Sequence, residues 1–200
     1  KENILAENKV LLVLVDGMRP DSIPLCGNPA YQAWFEEGAH TYNAQTTNPP
    51  VTLPAHMSLF HSVRTEGTAL DQYILQYYEQ GVFQYIELFT LTGTYTDTIS
   101  YWKQFNIDIP ETKACKEHIA EFAPDFVWIY LGMVDEYGHG WGWMSPEYLE
   151  CVRTATECIM DIVNFLPPEY SVIVTADHGG HDRNHGDNIP EDMTIPLTCH

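Results

Sequence analysis

The sequence is short of positive charge. It has 9 Lys and Arg residues against 28 Asp and Glu residues, which gives a formal net charge of −19 at pH 7. Proteins that hold nucleic-acid polymers do so through basic, phosphate-binding surfaces, so this balance argues against such a partner. It does not argue against a small phosphorylated substrate, because bound cations can reverse the local sign of the potential.

Long apolar runs and paired cysteines are also missing. The longest apolar stretch, residues 10–15, has the length of a strand, so we expect no membrane span. The N-terminus has no basic segment followed by an apolar one, so no secretory signal is visible. The 5 cysteines form no C-x-x-C pair and leave one odd, which favours reduced thiols and a cytoplasmic location. The sequence does not set the oligomeric state.

The chain has the size and pattern of a single α/β domain spanning residues 1–200. Short apolar runs rich in β-branched or aromatic residues indicate buried strands at residues 9–15, 125–131 and 171–176, and a further strand is predicted at 193–198. Helical patterns occur at residues 29–37, 54–62, 111–122 and 145–165. Strands that alternate with helices predict a mostly parallel sheet. Residues 65–109 have weak periodicity and are interpreted as a small cap or an irregular insertion.

Polar residues follow each of the three internal strands. They include three aspartates and three histidines: Asp16, Asp135, His139, Asp177, His178 and His185. Ligands of open α/β sheets bind at the carboxyl ends of the strands, so we expect these side chains to meet at one edge. The mixture of carboxylate and imidazole suits Zn²⁺ or Mn²⁺ better than the all-oxygen shells of Ca²⁺ or Mg²⁺.

The number of these residues predicts two metal ions. A catalytic zinc usually takes about three protein ligands and keeps one position open. One set would be Asp16, Asp177 and His178, and the other would be Asp135, His139 and His185. Two ions close together can stabilise both the attacking and the leaving oxygen of a phosphoryl transfer. We therefore expect two Zn²⁺ ions, with Mn²⁺ as the alternative.

The segment NPPVTLPAHMS, residues 48–58, supplies the candidate nucleophile. Thr52 stands at the start of a predicted helix, two residues before Pro54. A threonine there is most often a capping residue, but a helix N-terminus also attracts anions. A two-metal site needs a nucleophile, so we predict that Thr52 attacks phosphorus and binds the first ion through its oxygen.

Four segments resemble the alkaline phosphatase superfamily, and most closely its type I phosphodiesterase/nucleotide pyrophosphatase family. They are VDGMRPD (15–21), TLPAHMSLFHSV (52–63), VDEYGHGWG (134–142) and TADHGGHDRNHGDN (175–188). The resemblance implies a three-layer α/β/α sandwich and a phosphothreonine intermediate on Thr52. It implies that Asp16, Thr52, Asp177 and His178 bind one zinc ion, and that Asp135, His139 and His185 bind the other. His185 is preferred to His181 because Gly-Asp-Asn follows it, and His56 is expected to be a buried structural residue.

The sequence departs from the family after the nucleophile segment. Glu66 stands where relatives carry a histidine, and Asp71 stands where they carry a substrate-binding asparagine. Asp71 is therefore the candidate substrate-binding residue, although an ionised carboxylate cannot donate a hydrogen bond to phosphate. The chain also ends directly after the strand at 193–198, which is abrupt for this fold and indicates a truncated C-terminus.

The predicted function is metal-dependent hydrolysis of phosphate esters, with diesters or nucleotides favoured by the resemblance. The absence of a Cys- or Ser-x-Pro-x-Arg signature disfavours a sulfatase. A cofactor-independent phosphomutase shares the metal motifs and is one alternative. The other is a catalytically impaired metal-binding protein of the same fold, which Glu66 and Asp71 suggest.

Overall fold

The computed structural model describes residues 9–61 and 108–200. Within these residues, five strands form the sheet: β1 (Lys9–Val15), β2 (Ala39–Gln45), β3 (Phe126–Leu131), β4 (Tyr170–Thr175) and β5 (Thr194–Cys199). The same part of the chain has six helices: α1 (Pro29–Glu37), α2 (Thr52–His61), α3 (Asp108–Phe122), α4 (Met133–Trp141), α5 (Pro146–Val163) and the short α6 (Pro190–Met193). A 3₁₀ turn covers Pro20–Ser22. In the described part of the chain, no helix is both long enough and apolar enough to cross a membrane.

The sheet has the strand order β2-β5-β4-β1-β3. β1 lies between β3 and β4 and is parallel to both, whereas β5 runs antiparallel to β4 and to β2. Val15 lies opposite Leu131, and Leu14 lies opposite Thr175, so the carboxyl ends of the three central strands meet at one edge. The predicted α/β class with a mostly parallel centre is confirmed.

Different helices cover the two faces of the sheet. On one face, Leu11, Val13 and Val15 of β1 pack in a large core with side chains of α1, α3 and α5, including Tyr31, Phe35 and Ile159. On the other face, Leu12, Leu14 and Trp128 form a smaller cluster against Phe60 of α2. Successive strand residues point to opposite faces, so one apolar strand contributes to both cores. The described elements thus form three layers.

The ends of the long helices follow from local sequence. Ser145 caps α5, since its hydroxyl accepts a hydrogen bond from Tyr148 N at 3.2 Å, and Pro146 occupies the first helical position. Asn28 caps α1 in the same way at Tyr31 N. Helix α2 begins at Thr52, two residues before the predicted start, because Pro54 is tolerated in a first turn.

Candidate active site

The candidate ligands lie together at the carboxyl edge of the sheet. Asp16 follows β1, where its N–H donates to Leu131 O at 2.9 Å, and Asp177 and His178 follow β4. Asp135 and His139 lie one turn apart on α4, which begins two residues after β3. Thr52 is the first residue of α2. The segments that follow β1 and β4, together with helices α2 and α4, thus supply these residues.

His178 lies at the centre of the group and is fully buried. Its Nε2 is 3.1 Å from Thr52 Oγ1 and 3.2 Å from Asp16 Oδ1. The same nitrogen is 3.7 Å from Asp177 Oδ2 and 4.0 Å from Asp135 Oδ1. One imidazole nitrogen therefore faces the candidate nucleophile and all three candidate carboxylates.

The second group of ligands is centred on Asp135. His185 Nε2 is 3.6 Å from Asp135 Oδ1, and His139 Nε2 is 3.4 Å from Asp135 Oδ2. The His185 ring stacks on His178, with centroids 3.8 Å apart. Two sets of three residues each bring their ligand atoms within 4.8 Å of one another. One set is Asp16, Asp177 and His178, and the other is Asp135, His178 and His185. His178 thus reaches both sets, whereas the sequence assigned it only to the first.

The three candidate histidine ligands share one orientation. In each ring Nδ1 faces a backbone carbonyl: Gly179 O at 2.7 Å for His178, Pro50 O at 3.0 Å for His185, and Arg183 O at 3.0 Å for His139. A carbonyl can only accept, so Nδ1 carries the proton when the ring is neutral, and Nε2 then has the lone pair that a metal ion binds. Metal-binding histidines are usually held in this way, with the second ring nitrogen fixing the tautomer.

His181 has a different environment from His185. Its Nδ1 is 2.8 Å from Asp192 Oδ1, and its Nε2 is 3.5 Å from Asp187 Oδ2. Both nitrogens therefore face carboxylates of a separate group, and the hydrogen bond to Asp192 raises the pKa of His181. The choice of His185 over His181 as a ligand stays a prediction, and this geometry is in line with it.

The carboxylates of the site repel one another. Burial raises the pKa of Asp16, and the charge of Asp177 adds to the effect. Burial and the charge of Asp16 raise the pKa of Asp135 to about 8. Burial alone would lower the pKa of His178, but Asp177 and Asp16 raise it to about 10. Without a cation, the site therefore holds protons at neutral pH that ordinary aspartate and histidine would have lost.

The residues present fit divalent metal ions. Three buried carboxylate oxygens have no hydrogen-bond partner among the described residues: Asp16 Oδ1, Asp135 Oδ1 and Asp177 Oδ2. Buried polar atoms are rarely left without a partner, and a cation would satisfy all three. Aspartate oxygens with histidine nitrogens also form a donor set suited to Zn²⁺.

Sequence reasoning missed two side chains that support the ligands. The Tyr130 hydroxyl donates to Asp16 Oδ2, and burial together with the charge of Asp16 raises the pKa of Tyr130 well above its usual value. Its position one residue before the end of β3 could have indicated this role. His56 was expected to be buried and structural; it is 6% exposed, and its Nε2 lies 3.3 Å from Asp177 Oδ2.

Backbone geometry holds Asp177 and Asp135 close to Asp16. Asp177 Oδ1 accepts hydrogen bonds from Gly17 N at 3.1 Å and from His178 N at 2.9 Å. Gly17 has a φ of +67°, and a Cβ at this position would lie 3.0 Å from Asp135 Cα. Glycine is thus required both by the turn and by the close approach of α4.

Glu66 and Asp71 lie outside the described residues, as does nearly all of the expected cap at 65–109.

Comparisons with known proteins bear on the family and the fold of the chain. A family model described as type I phosphodiesterase / nucleotide pyrophosphatase matches residues 60–193, about two thirds of the chain. GPI ethanolamine phosphate transferase 1 of Aspergillus fumigatus is 30% identical over 120 residues. That match covers 56% of this chain and 12% of the fungal protein, so the chain spans about an eighth of the length of this curated relative.

Three solved structures share the fold over most or all of the chain. A candidate sulfatase, yidJ of Bacteroides fragilis, has a TM-score of 0.60 at 13% identity, covering all of this chain and 69% of the other. Phosphonoacetate hydrolase of Sinorhizobium meliloti has a TM-score of 0.57 at 14% identity, covering 86% and 56%. Murine ectonucleotide pyrophosphatase/phosphodiesterase 5 has a TM-score of 0.53 at 15% identity, covering 86% and 57%. These neighbours confirm the predicted alkaline phosphatase-like fold.

Proposed function

The chain belongs to the type I phosphodiesterase / nucleotide pyrophosphatase family, and on that premise we propose that it hydrolyses phosphate esters in a metal-dependent reaction. In this proposal Thr52 is the nucleophile and two zinc ions occupy the site. The substrate is a small phosphorylated molecule, with diesters or nucleotides favoured by the family. A nucleic-acid polymer is not expected, because the net charge of −19 would repel it.

One observation supports the proposal most directly. The Thr52 hydroxyl lies 3.1 Å from His178 Nε2, beside three buried carboxylate oxygens that have no hydrogen-bond partner among the described residues. A threonine that only capped its helix would not need buried, mutually repelling carboxylates around it. This arrangement supports the proposal that Thr52 is a nucleophile beside a cation site.

The proposed ligands are the residues that the sequence indicated. The first ion would be held by Asp16, Thr52, Asp177 and His178, and the second by Asp135, His139 and His185. Two zinc ions held there would lower the pKa of the Thr52 hydroxyl and offset the negative charge of the phosphoryl oxygens. Mn²⁺ is the alternative metal, because the donor set suits both.

The reaction then proceeds through Thr52. Its Oγ1 gives its proton to solvent and forms a bond to phosphorus at the start of α2, where the positive end of the helix dipole favours the phosphoryl anion. The bond from phosphorus to the leaving oxygen breaks, and the leaving group takes up a proton from solvent. Water then attacks the phosphothreonine, which releases phosphate or a phosphate monoester and restores the Thr52 hydroxyl.

A transferase is the second candidate. The phosphothreonine can pass its phosphoryl group to an alcohol instead of to water, and the Aspergillus fumigatus relative is named as a transferase. The two reactions share their first step and differ only in the acceptor. Hydrolysis is preferred because the family model and the murine neighbour are described as phosphodiesterases.

The proposal is tested by trapping the phosphorylated enzyme. Protein with zinc is mixed with a chromogenic phosphodiester, quenched in acid, and analysed by peptide mass spectrometry. We expect a phosphoryl adduct on Thr52, no adduct in Thr52→Ala, and ¹⁸O from labelled water in the product. An adduct that is released only when an alcohol is added, giving a product that carries the alcohol and no ¹⁸O from water, would favour the transferase. Turnover by Thr52→Ala at the wild-type rate would contradict the role of Thr52.

A further inference from the structure

We infer that His56 is a positioning residue, which donates a hydrogen bond from Nε2 to Asp177 Oδ2 and thereby holds this carboxylate ready for the first metal ion. The inference rests on the proposed function, in which Asp177 is a metal ligand. It gives His56 a role in the site, beyond that of a buried core residue.

Two buried atoms of the site, His56 Nε2 and Asp177 Oδ2, face each other at 3.3 Å. Both side chains are buried, with 6% and 3% of their surface exposed, and neither atom has another hydrogen-bond partner among the described residues. Buried polar atoms are nearly always paired, and contacts of this kind often tighten only when a ligand is bound.

The surroundings of His56 restrict its ring. Three aromatic rings meet the imidazole edge to face: Phe60 at 6.4 Å, Trp128 at 6.0 Å and Tyr130 at 5.4 Å between centroids, with interplanar angles of 84–89°. This cage leaves the ring little freedom to turn. The Asp177 carboxylate is the acceptor in front of Nε2, whereas Nδ1 is buried without a hydrogen-bond partner among the described residues.

The other oxygen of Asp177 is already held by the backbone. Oδ1 is held by the backbone N–H groups of Gly17 and His178, so only Oδ2 is left to face a cation and His56. Together these contacts fix the rotation of the carboxylate from both sides. His56 also lies one turn after Thr52 on α2, so the same hydrogen bond joins the nucleophile's helix to the end of β4.

Two substitutions separate this role from simple packing. His56→Met fills the cage but removes the donor, whereas His56→Gln keeps an N–H donor at the end of a side chain of similar length. Zinc affinity is measured by competition with a chromophoric chelator, after far-UV and near-UV circular dichroism shows that both variants are folded. We expect His56→Met to weaken the binding of the first zinc ion by about 10- to 100-fold, the usual loss of affinity when a residue that orients a ligand is removed. His56→Gln should recover most of that loss.

A second measurement does not depend on metal. In the metal-free protein, ¹⁵N NMR of the labelled histidines should show His56 protonated at Nε2, with that proton exchanging slowly. Equal zinc affinity in the wild type and both variants, or a proton on Nδ1 only, would overturn the inference and leave the proposed function intact. An equal loss in His56→Met and His56→Gln would also overturn it. Absence of zinc binding by the wild type would overturn the proposed function and this inference with it.

Discussion

Zinc binding to this site should release protons, and its affinity should therefore rise steeply with pH. In the metal-free protein the pKa of Asp135 is raised to about 8 by burial and by the charge of Asp16. The pKa of His178 is raised to about 10, because Asp177 and Asp16 outweigh its burial. Both groups are thus largely protonated at neutral pH, and both must lose the proton before they can bind a metal ion.

The size of the effect follows from these values. His178 and Asp135 each release close to one proton at neutral pH, which gives about two protons for the filled site. Asp16 can only add to this number, because its pKa is raised as well. The pKa of His185 is lowered to about 4, chiefly by burial, so it contributes none. Two protons correspond to about 2.7 kcal/mol of binding free energy for each pH unit.

Calorimetry tests this prediction directly. Zinc is titrated into metal-free protein in two buffers of different ionisation enthalpy, and the difference in heat gives the number of protons released. Asp135→Asn, which keeps the shape but cannot ionise, should reduce the count by about one proton. A matched control is His181→Ala, which should not change it. Zinc binding that releases no protons and has the same affinity between about pH 6 and pH 8 would refute the reasoning.

Three further predictions concern individual ligands and metal removal. Asp177→Ala should lose the first ion and all turnover; a full metal content by mass spectrometry would count against this. His185→Ala should weaken the binding of only the second ion, by about 10-fold or more, whereas His181→Ala should change metal binding little. Equal metal contents in these two variants would contradict the choice of His185 as the ligand. Removing metal with a chelator should lower the melting temperature, and more so at about pH 9 than at about pH 6. The raised pKa values of Asp135 and His178 mean that the metal-free fold binds extra protons and loses stability as pH rises; calorimetric melting that is insensitive to pH would contradict this.

The sequence predicted the central strands and the ligand residues because each feature has a local signal. Residues 9–15 form β1 as expected, and the strands predicted at 125–131 and 171–176 differ from β3 and β4 by one residue at most at each end. Polar residues directly after buried strands could be placed at one edge by the rule for parallel sheets. The fourth strand, predicted at 193–198, is β5, but its antiparallel direction had no local signal.

Two elements had no recognisable pattern. β2, with the sequence AHTYNAQ, is polar and partly exposed because it lies at the edge of the sheet, and among the described strands it pairs only with β5. Helix α4 contains Gly138 and Gly140, which have low helix propensity, and the sequence pattern predicts no helix there. Packing against α5 and the close approach of Gly138 to Trp143 override that propensity. This helix is what places Asp135 and His139 one turn apart.

The details of the site depend on contacts between distant segments. Sequence spacing assigned His178 to one ion, whereas its Nε2 reaches the ligand atoms of both sets. Sequence spacing could not show that His139, His178 and His185 each direct Nδ1 to a backbone carbonyl. The sequence did not identify Tyr130 of β3 as a partner of Asp16, and it predicted His56 of α2 as a buried structural residue without indicating its contact with Asp177.

The most direct test of the account is metal content measured together with turnover. Purified wild type and Thr52→Ala are analysed for bound metal and assayed on a chromogenic phosphodiester. We expect two ions per wild-type chain with measurable hydrolysis, and a variant that still binds metal through its remaining ligands but has lost turnover. Two ions without turnover on a diester or a monoester would favour an impaired, metal-binding protein, and the absence of bound metal would contradict the account at its centre.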